Sequence, residues 1–105
     1  MPVMLVVFDP DGLPVDVRGA ELLDPDVVAM TGAAFWRISA DVSEALGARV
    51  DRVSVRAGPL RLEIAFGVDA GYAVVIDEVA AALLEAGEEV EELAEGEDGV
   101  EELKA

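Results

Sequence analysis

The 105-residue sequence contains no cysteine and no histidine, and neither asparagine nor glutamine occurs in it. Without thiols there can be no disulfide and no thiolate metal site. Without imidazoles, every arrangement that pairs a nucleophile with a histidine is excluded as well. The polar chemistry that remains is three serines (Ser39, Ser43 and Ser54), Thr31, Tyr72, Lys104, six arginines and 23 carboxylates. Paired carboxylates are the one common catalytic option left, and a chain this short has little room for the concave pocket they require. The expectation is a non-enzymatic protein with no cofactor and no metal.

Long apolar runs are missing too. The longest nearly uncharged stretch, Val27 to Trp36, has ten residues, half of the ~20 that a membrane crossing needs. The N-terminus has neither a basic region nor a small-residue cleavage site after an apolar core, so the expected location is the cytoplasm. Positive charge is scarce: seven basic residues against 23 acidic ones leave a net charge of −16. That balance repels phosphates, which argues against nucleic acid and anionic membranes as partners. The absence of heat-labile amides and thiols, with the acidity, suggests a thermophilic or salt-adapted prokaryote. A GC-rich genome would leave a similar composition.

The acidity is uneven. Residues 1–84 hold thirteen acids and six arginines, whereas residues 85–105 hold ten acids and one lysine. One domain over residues 1–95 is therefore expected, followed by an acidic tail over 96–105 too polar to fold alone. Such a tail serves as a solubilising extension or as a ligand for a basic partner.

Within the domain, Met4–Phe8 is a short β-branched run, and Asp9-Pro10-Asp11-Gly12 is a turn leading into a return strand over Leu13–Val17. The D-x-D-G spacing also echoes the start of a calcium loop, but the rest of that loop's ligand set is missing. Asp24-Pro25-Asp26 is a helix start, and Gly47 closes the helix 22 residues later. Three strands follow, over Arg49–Ala57, Leu60–Phe66 and Tyr72–Ile76, and a second helix runs from Glu78 to about Glu95. The order β-β-α-β-β-β-α implies an α+β fold, an α/β sandwich on a five-stranded, mostly antiparallel sheet.

The helix from Pro25 to Leu46 has two uncharged faces. Val27, Thr31, Ala34, Phe35, Ile38, Val42, Ala45 and Leu46 form a broad apolar face, which reads as the core stripe. Ala29, Gly32, Ala33, Trp36, Ser39, Ala40 and Ser43 form the opposite face, small residues around one Trp. Small residues admit a close helix and an exposed aromatic anchors interfaces, so this face is expected to meet a second protein. The alternative is that Trp36 folds over the edge of the chain's own core. A second candidate site is an arginine set, Arg52, Arg56 and Arg61, which reads either as a docking patch for an anionic partner or as surface charge neutralised by nearby acids.

The segments VVFDPDGLPVDVRG, DPDVVAMTGAAFWRISADVSEALG and RVDRVSVRAGPLRLEIAFGVDAGYAVVID, with the helix after them, resemble the roadblock (dynein light chain roadblock) family from about Met4 to Glu95. The resemblance implies a homodimer in which the long middle helices pack together and the next strand pairs with its copy. Carried onto this chain, the contacts fall on Ala29, Gly32, Ala33, Trp36, Ser39, Ala40 and Ser43, and on the edge strand with Arg52, Val53, Ser54 and Val55. It also implies a non-catalytic partner or regulator of a small Ras-like GTPase, or alternatively an adaptor subunit of a larger complex with no GTPase. Family members usually begin with a helix before the first strand. This sequence starts almost at the strand, so one sheet face is expected to be less covered, and the implied GTPase regulation is put in question.

Overall fold

A computed structural model describes residues 2–95, with side chains through residue 86. The expected elements all form: β1 (Val3–Phe8), β2 (Pro14–Gly19), α1 (Pro25–Leu46), β3 (Arg52–Ala57), β4 (Leu60–Phe66), β5 (Gly71–Asp77) and α2 (Glu78–Glu95). The acidic tail over 96–105 lies outside the described residues. No helix among the described residues is long and apolar enough to cross a membrane.

Local chemistry accounts for the boundaries. In the β1–β2 turn the Asp9 carboxylate accepts hydrogen bonds from the backbone N–H groups of Asp11 and Leu13, each at 3.0 Å. That carboxylate is thus spent on the turn, as an Asx turn requires, and Gly12 supplies the positive φ of 86°. Asp24 caps α1 by accepting from the Asp26 N–H at 2.9 Å, with Pro25 in the first turn. Gly47 ends α1 in the left-handed region at φ 67°, where glycine carries no steric penalty.

The strands form one sheet in the order β2-β1-β5-β4-β3, and every neighbouring pair is antiparallel. Because β2 and β3 occupy opposite edges, the chain between them must cross the sheet. A 22-residue helix is about 33 Å long at 1.5 Å per residue, ample for five strands spaced about 4.8 Å apart. α1 makes that crossing over one face, here called the front.

Alternation decides which side chains meet α1. Met4, Val6 and Phe8 of β1, Leu62, Ile64 and Phe66 of β4, and Ala73 and Val75 of β5 point forward and are buried. From α1 the buried residues are Val28, Ala29, Gly32, Ala33 and Ser39. Phe8 is the hinge of this packing. A Cβ at Gly32 would overlap the Phe8 ring, and so would one at Gly71, so two glycines make the slot that the ring occupies. Trp36 closes one end, edge-on to Phe8 at 6.1 Å between ring centroids and stacked on Phe66 at 5.8 Å. Such aromatic geometries add to the gain from burial alone.

This reverses the faces expected for α1. The bulky face read as the core stripe points outward, apart from Phe35, which packs against the core. The small-residue face lies inward. The sheet already presents Phe8, Met4, Ile64 and Phe66, so the helix above it must be thin where it touches them.

Candidate functional site

The outer face of α1 is the most unusual surface of the molecule. Val27, Met30, Ile38, Val42 and Leu46 stand 39–69% exposed along one helix, with Ala34 and Ala45 exposed between them. Helical geometry sets Val27, Ala34, Ile38 and Ala45 within a narrow arc, with Thr31 and Val42 beside it. The charged residues Asp26, Arg37, Asp41 and Glu44 fall on one flank, with Asp41 nearest the row, on the side that carries Met30 and Ala33 past Gly12 of the β1–β2 turn. The other flank carries Phe35 toward the core. Isolated exposed apolar residues are ordinary, but a contiguous row of this length marks an interaction surface.

The residues expected to make that contact sit elsewhere. Ala29, Gly32, Ala33 and Ser39 are buried beneath α1, and Trp36 is half-buried against Phe8 and Phe66. Ala40 is exposed. Ser43 ties the end of α1 to the segment before β3: its hydroxyl donates to the Ser39 carbonyl at 2.6 Å and accepts from the Val50 N–H at 2.8 Å. Apart from Ala40, these residues build the monomer, which corrects their assignment to a dimer contact. Met30 escaped the sequence reading, although its i+4 and i+8 partners Ala34 and Ile38 lie on the same row.

Among the described residues, strand β3 is an edge with no partner on its outer side. Its Val53 and Val55 face forward, paired with Ile64 and Leu62, and pack partly buried against the core. Arg52, Ser54 and Arg56 face the back, and Arg52 makes no ion pair among the described residues. The other two members of the arginine set are engaged. Arg56 reaches Glu78 at 3.2 Å, and Arg61 Nε lies 3.1 Å from the same carboxylate and 3.7 Å from Glu63. The Arg61 Nε–H is buried without a hydrogen bond, so it meets Glu78 as an ion pair with poor donor alignment. Ser54 donates to Glu63 at 2.6 Å. The column is therefore largely neutralised by neighbouring acids, Glu78 of α2 among them.

The back face of the sheet has an apolar centre. Val3, Leu5 and Val7 of β1 stand opposite Ile76, Val74 and Tyr72 of β5. All are half-buried except Tyr72, which is 47% exposed. Polar columns border this strip: Asp16 and Arg18 on β2, and Arg61, Glu63, Arg52 and Arg56 on β4 and β3. Helix α2 does not cover the strip. It follows β5 with no intervening residue, Asp77 accepts from the Ala80 N–H at 3.0 Å, and the Glu78 N–H donates to the Pro59 carbonyl at 2.8 Å. Beyond that anchor Val79, Leu83 and Leu84 are exposed. An open groove of about 460 Å³ runs between α2 and the β3–β4 turn, lined by Arg56, Pro59, Glu78, Val79 and Leu83.

Known structures share this architecture. The chain superposes on a Roadblock/LC7 domain from Streptomyces avermitilis with a TM-score of 0.62 at 20% identity, covering 71% of this chain and 65% of that one. Gliding protein MglB from Thermus thermophilus matches with a TM-score of 0.62 at 18% identity, covering 72% and 61%. Myxococcus xanthus MglB matches with 0.61 at 15% identity, covering 89% and 83%. The chain spans 60–65% of the length of the first three structures it matches. No family model matches the sequence, and no curated protein matches it significantly. At these identities the likeness establishes the fold, which is that of the roadblock/LC7 domains, as the sequence resemblance implied.

Proposed function

We propose that this chain is a non-catalytic interaction module that dimerises through the outer face of α1 and serves as a partner of a small Ras-like GTPase. The observation that carries the first part is the row Val27, Met30, Ile38, Val42 and Leu46, exposed on a 22-residue helix. A second copy of the same helix would cover it by ridge-into-groove packing. The free β3 edge, with Val53 and Val55 only half-covered, offers a second, continuous contact in which two edge strands pair. The dimer contact is thus kept from the sequence reading, while its helix residues move to the opposite side of α1. Support for a GTPase partner comes from the roadblock resemblance. Arg52 remains the arginine of the expected patch available to an anionic partner surface, since Arg56 and Arg61 hold Glu78.

Light scattering tests self-association: the mass in solution should be at least twice the 11.0 kDa of one chain, and a monomer at micromolar concentration overturns it. Affinity capture from native extract tests the partner. A small GTPase retained in its nucleotide-bound form supports the assignment, whereas retention of a larger complex without one favours an adaptor subunit.

A further inference from the structure

We propose that Arg37 and Asp41 pair reciprocally across the α1 contact, Arg37 of each copy with Asp41 of the other, and that this pairing sets the direction and register of the two helices. The inference rests on the α1 dimer proposed above and assigns the charges that such a contact must accommodate.

The outer face of α1 carries one charge close beside its apolar row. At about 100° per residue, Asp41 falls between Ala34 and Met30 on the helix circumference, roughly 20° from each. Arg37 lies one turn earlier on the same flank, and both residues are exposed. Arg37 is the one basic residue of α1. Among the described residues, neither Arg37 nor Asp41 makes an ion pair. Their spacing of four would let them meet within one helix, but a cation placed before the carboxylate is the less favourable order. Covering the row therefore takes the Asp41 carboxylate partly out of water, which costs stability unless a cation meets it. A second copy of the helix carries that cation.

Symmetry decides where it stands. A closed pair of identical helices has two arrangements. When the two-fold axis runs along the helices, they are parallel, and the charged flank of one lies beside the uncharged flank of the other. Asp41 is then covered with no cation opposite. When the axis is perpendicular to both helices, they are antiparallel and the two charged flanks lie side by side. Ile38 is exposed near the middle of the row. An axis there places Asp41 of the second copy two residues from Arg37 along the helix, about 3 Å at 1.5 Å per residue. The Asp41 of the same chain is about 6 Å away by that measure. Asp26 and Glu44 fall farther from the axis, toward the ends of the contact, where water reaches them. Both Arg37–Asp41 pairs form together, so the surface is complementary to itself.

Charge reversal tests the pairing in a way that general repulsion cannot imitate. Two chains of net charge −16 repel each other, so repulsion alone predicts a tighter dimer for Asp41→Arg and a weaker one for Arg37→Asp. The reciprocal pair predicts that each single variant raises the dimer Kd about tenfold or more at low salt. The double variant Arg37→Asp with Asp41→Arg leaves the net charge unchanged and should return the Kd to within about threefold of wild type. The cysteine-free chain allows the register to be read separately. After gentle oxidation, Ile38→Cys should cross-link with itself, and Ala34→Cys should cross-link with Val42→Cys well above the yield of either alone. A tighter Asp41→Arg dimer, a double variant as weak as the singles, or Ala34→Cys cross-linking mainly with itself overturns the pairing. If the wild-type dimer is nonetheless broken by Ile38→Asp, the α1 contact stands without it. A monomeric wild type removes the contact and the pairing together.

Discussion

Substitutions on opposite faces of α1 should fail in different ways, and the magnitude follows from where each side chain sits. Ile38 is 53% exposed and Ala33 is 1% exposed. Fully burying an isoleucine side chain is worth about 1.5–3 kcal/mol, so covering the exposed half of Ile38 contributes about 1–1.5 kcal/mol per copy. A two-fold interface counts it twice, giving about 2–3 kcal/mol for Ile38→Ala, or roughly 30–150-fold in the dimer Kd. Ile38→Asp should exceed this, because it also sets two carboxylates near each other in a desolvated contact. Neither variant should lower monomer stability by more than about 0.5 kcal/mol, since the side chain faces outward. Ala33→Arg should instead unfold the chain, because a guanidinium would be driven between α1 and the β1–β2 turn. The assay is sedimentation velocity for the Kd, with the fluorescence of the single Trp36 reporting folding. A folded Ala33→Arg monomer together with an Ile38→Asp variant of unchanged dimer Kd would refute the assignment of the two faces.

Two further substitutions probe the packing beneath the helix. Gly32→Ala should destabilise the chain by about 1–2 kcal/mol, since overpacking against Phe8 outweighs the ~1 kcal/mol gained in helix propensity. Thermal denaturation should show a Tm lower by about 4–8 °C per kcal/mol, and a raised Tm would mean that the Phe8 ring has room to move. Ser43→Ala should cost about 1 kcal/mol by leaving the Val50 N–H without its acceptor, measured as a shifted urea midpoint at constant slope. An unchanged midpoint would show that water replaces the hydroxyl.

The elements were legible in the sequence because their signals are local. The Asp24 cap, Pro25 and Gly47 bound α1 at the residues where the pattern places its ends, and the alternation of Leu60, Leu62, Ile64 and Phe66 set the inward face of β4. Strand ends are less exact: the pattern starts β3 at Arg49 and ends β2 at Val17, while pairing starts β3 at Arg52 and carries β2 to Gly19, because alternation does not report where a partner strand ends. The candidate contact residues of α1 were misplaced because a period of 3.6 finds faces without ranking them, and both uncharged faces of this helix qualify as apolar.

Composition and spacing thus determined the two helices and five strands of the described residues, the lack of imidazole and thiol chemistry, and a helix with two uncharged faces. Tertiary structure decided how that helix is turned. Volume made the choice, since the sheet raises the Phe8 ring between Gly32 and Gly71, and the buried face of the helix is built from glycine, alanine and serine with Val28, and Trp36 half-buried at the margin. The bulky row from Val27 to Leu46 was then left facing outward, where another molecule can cover it.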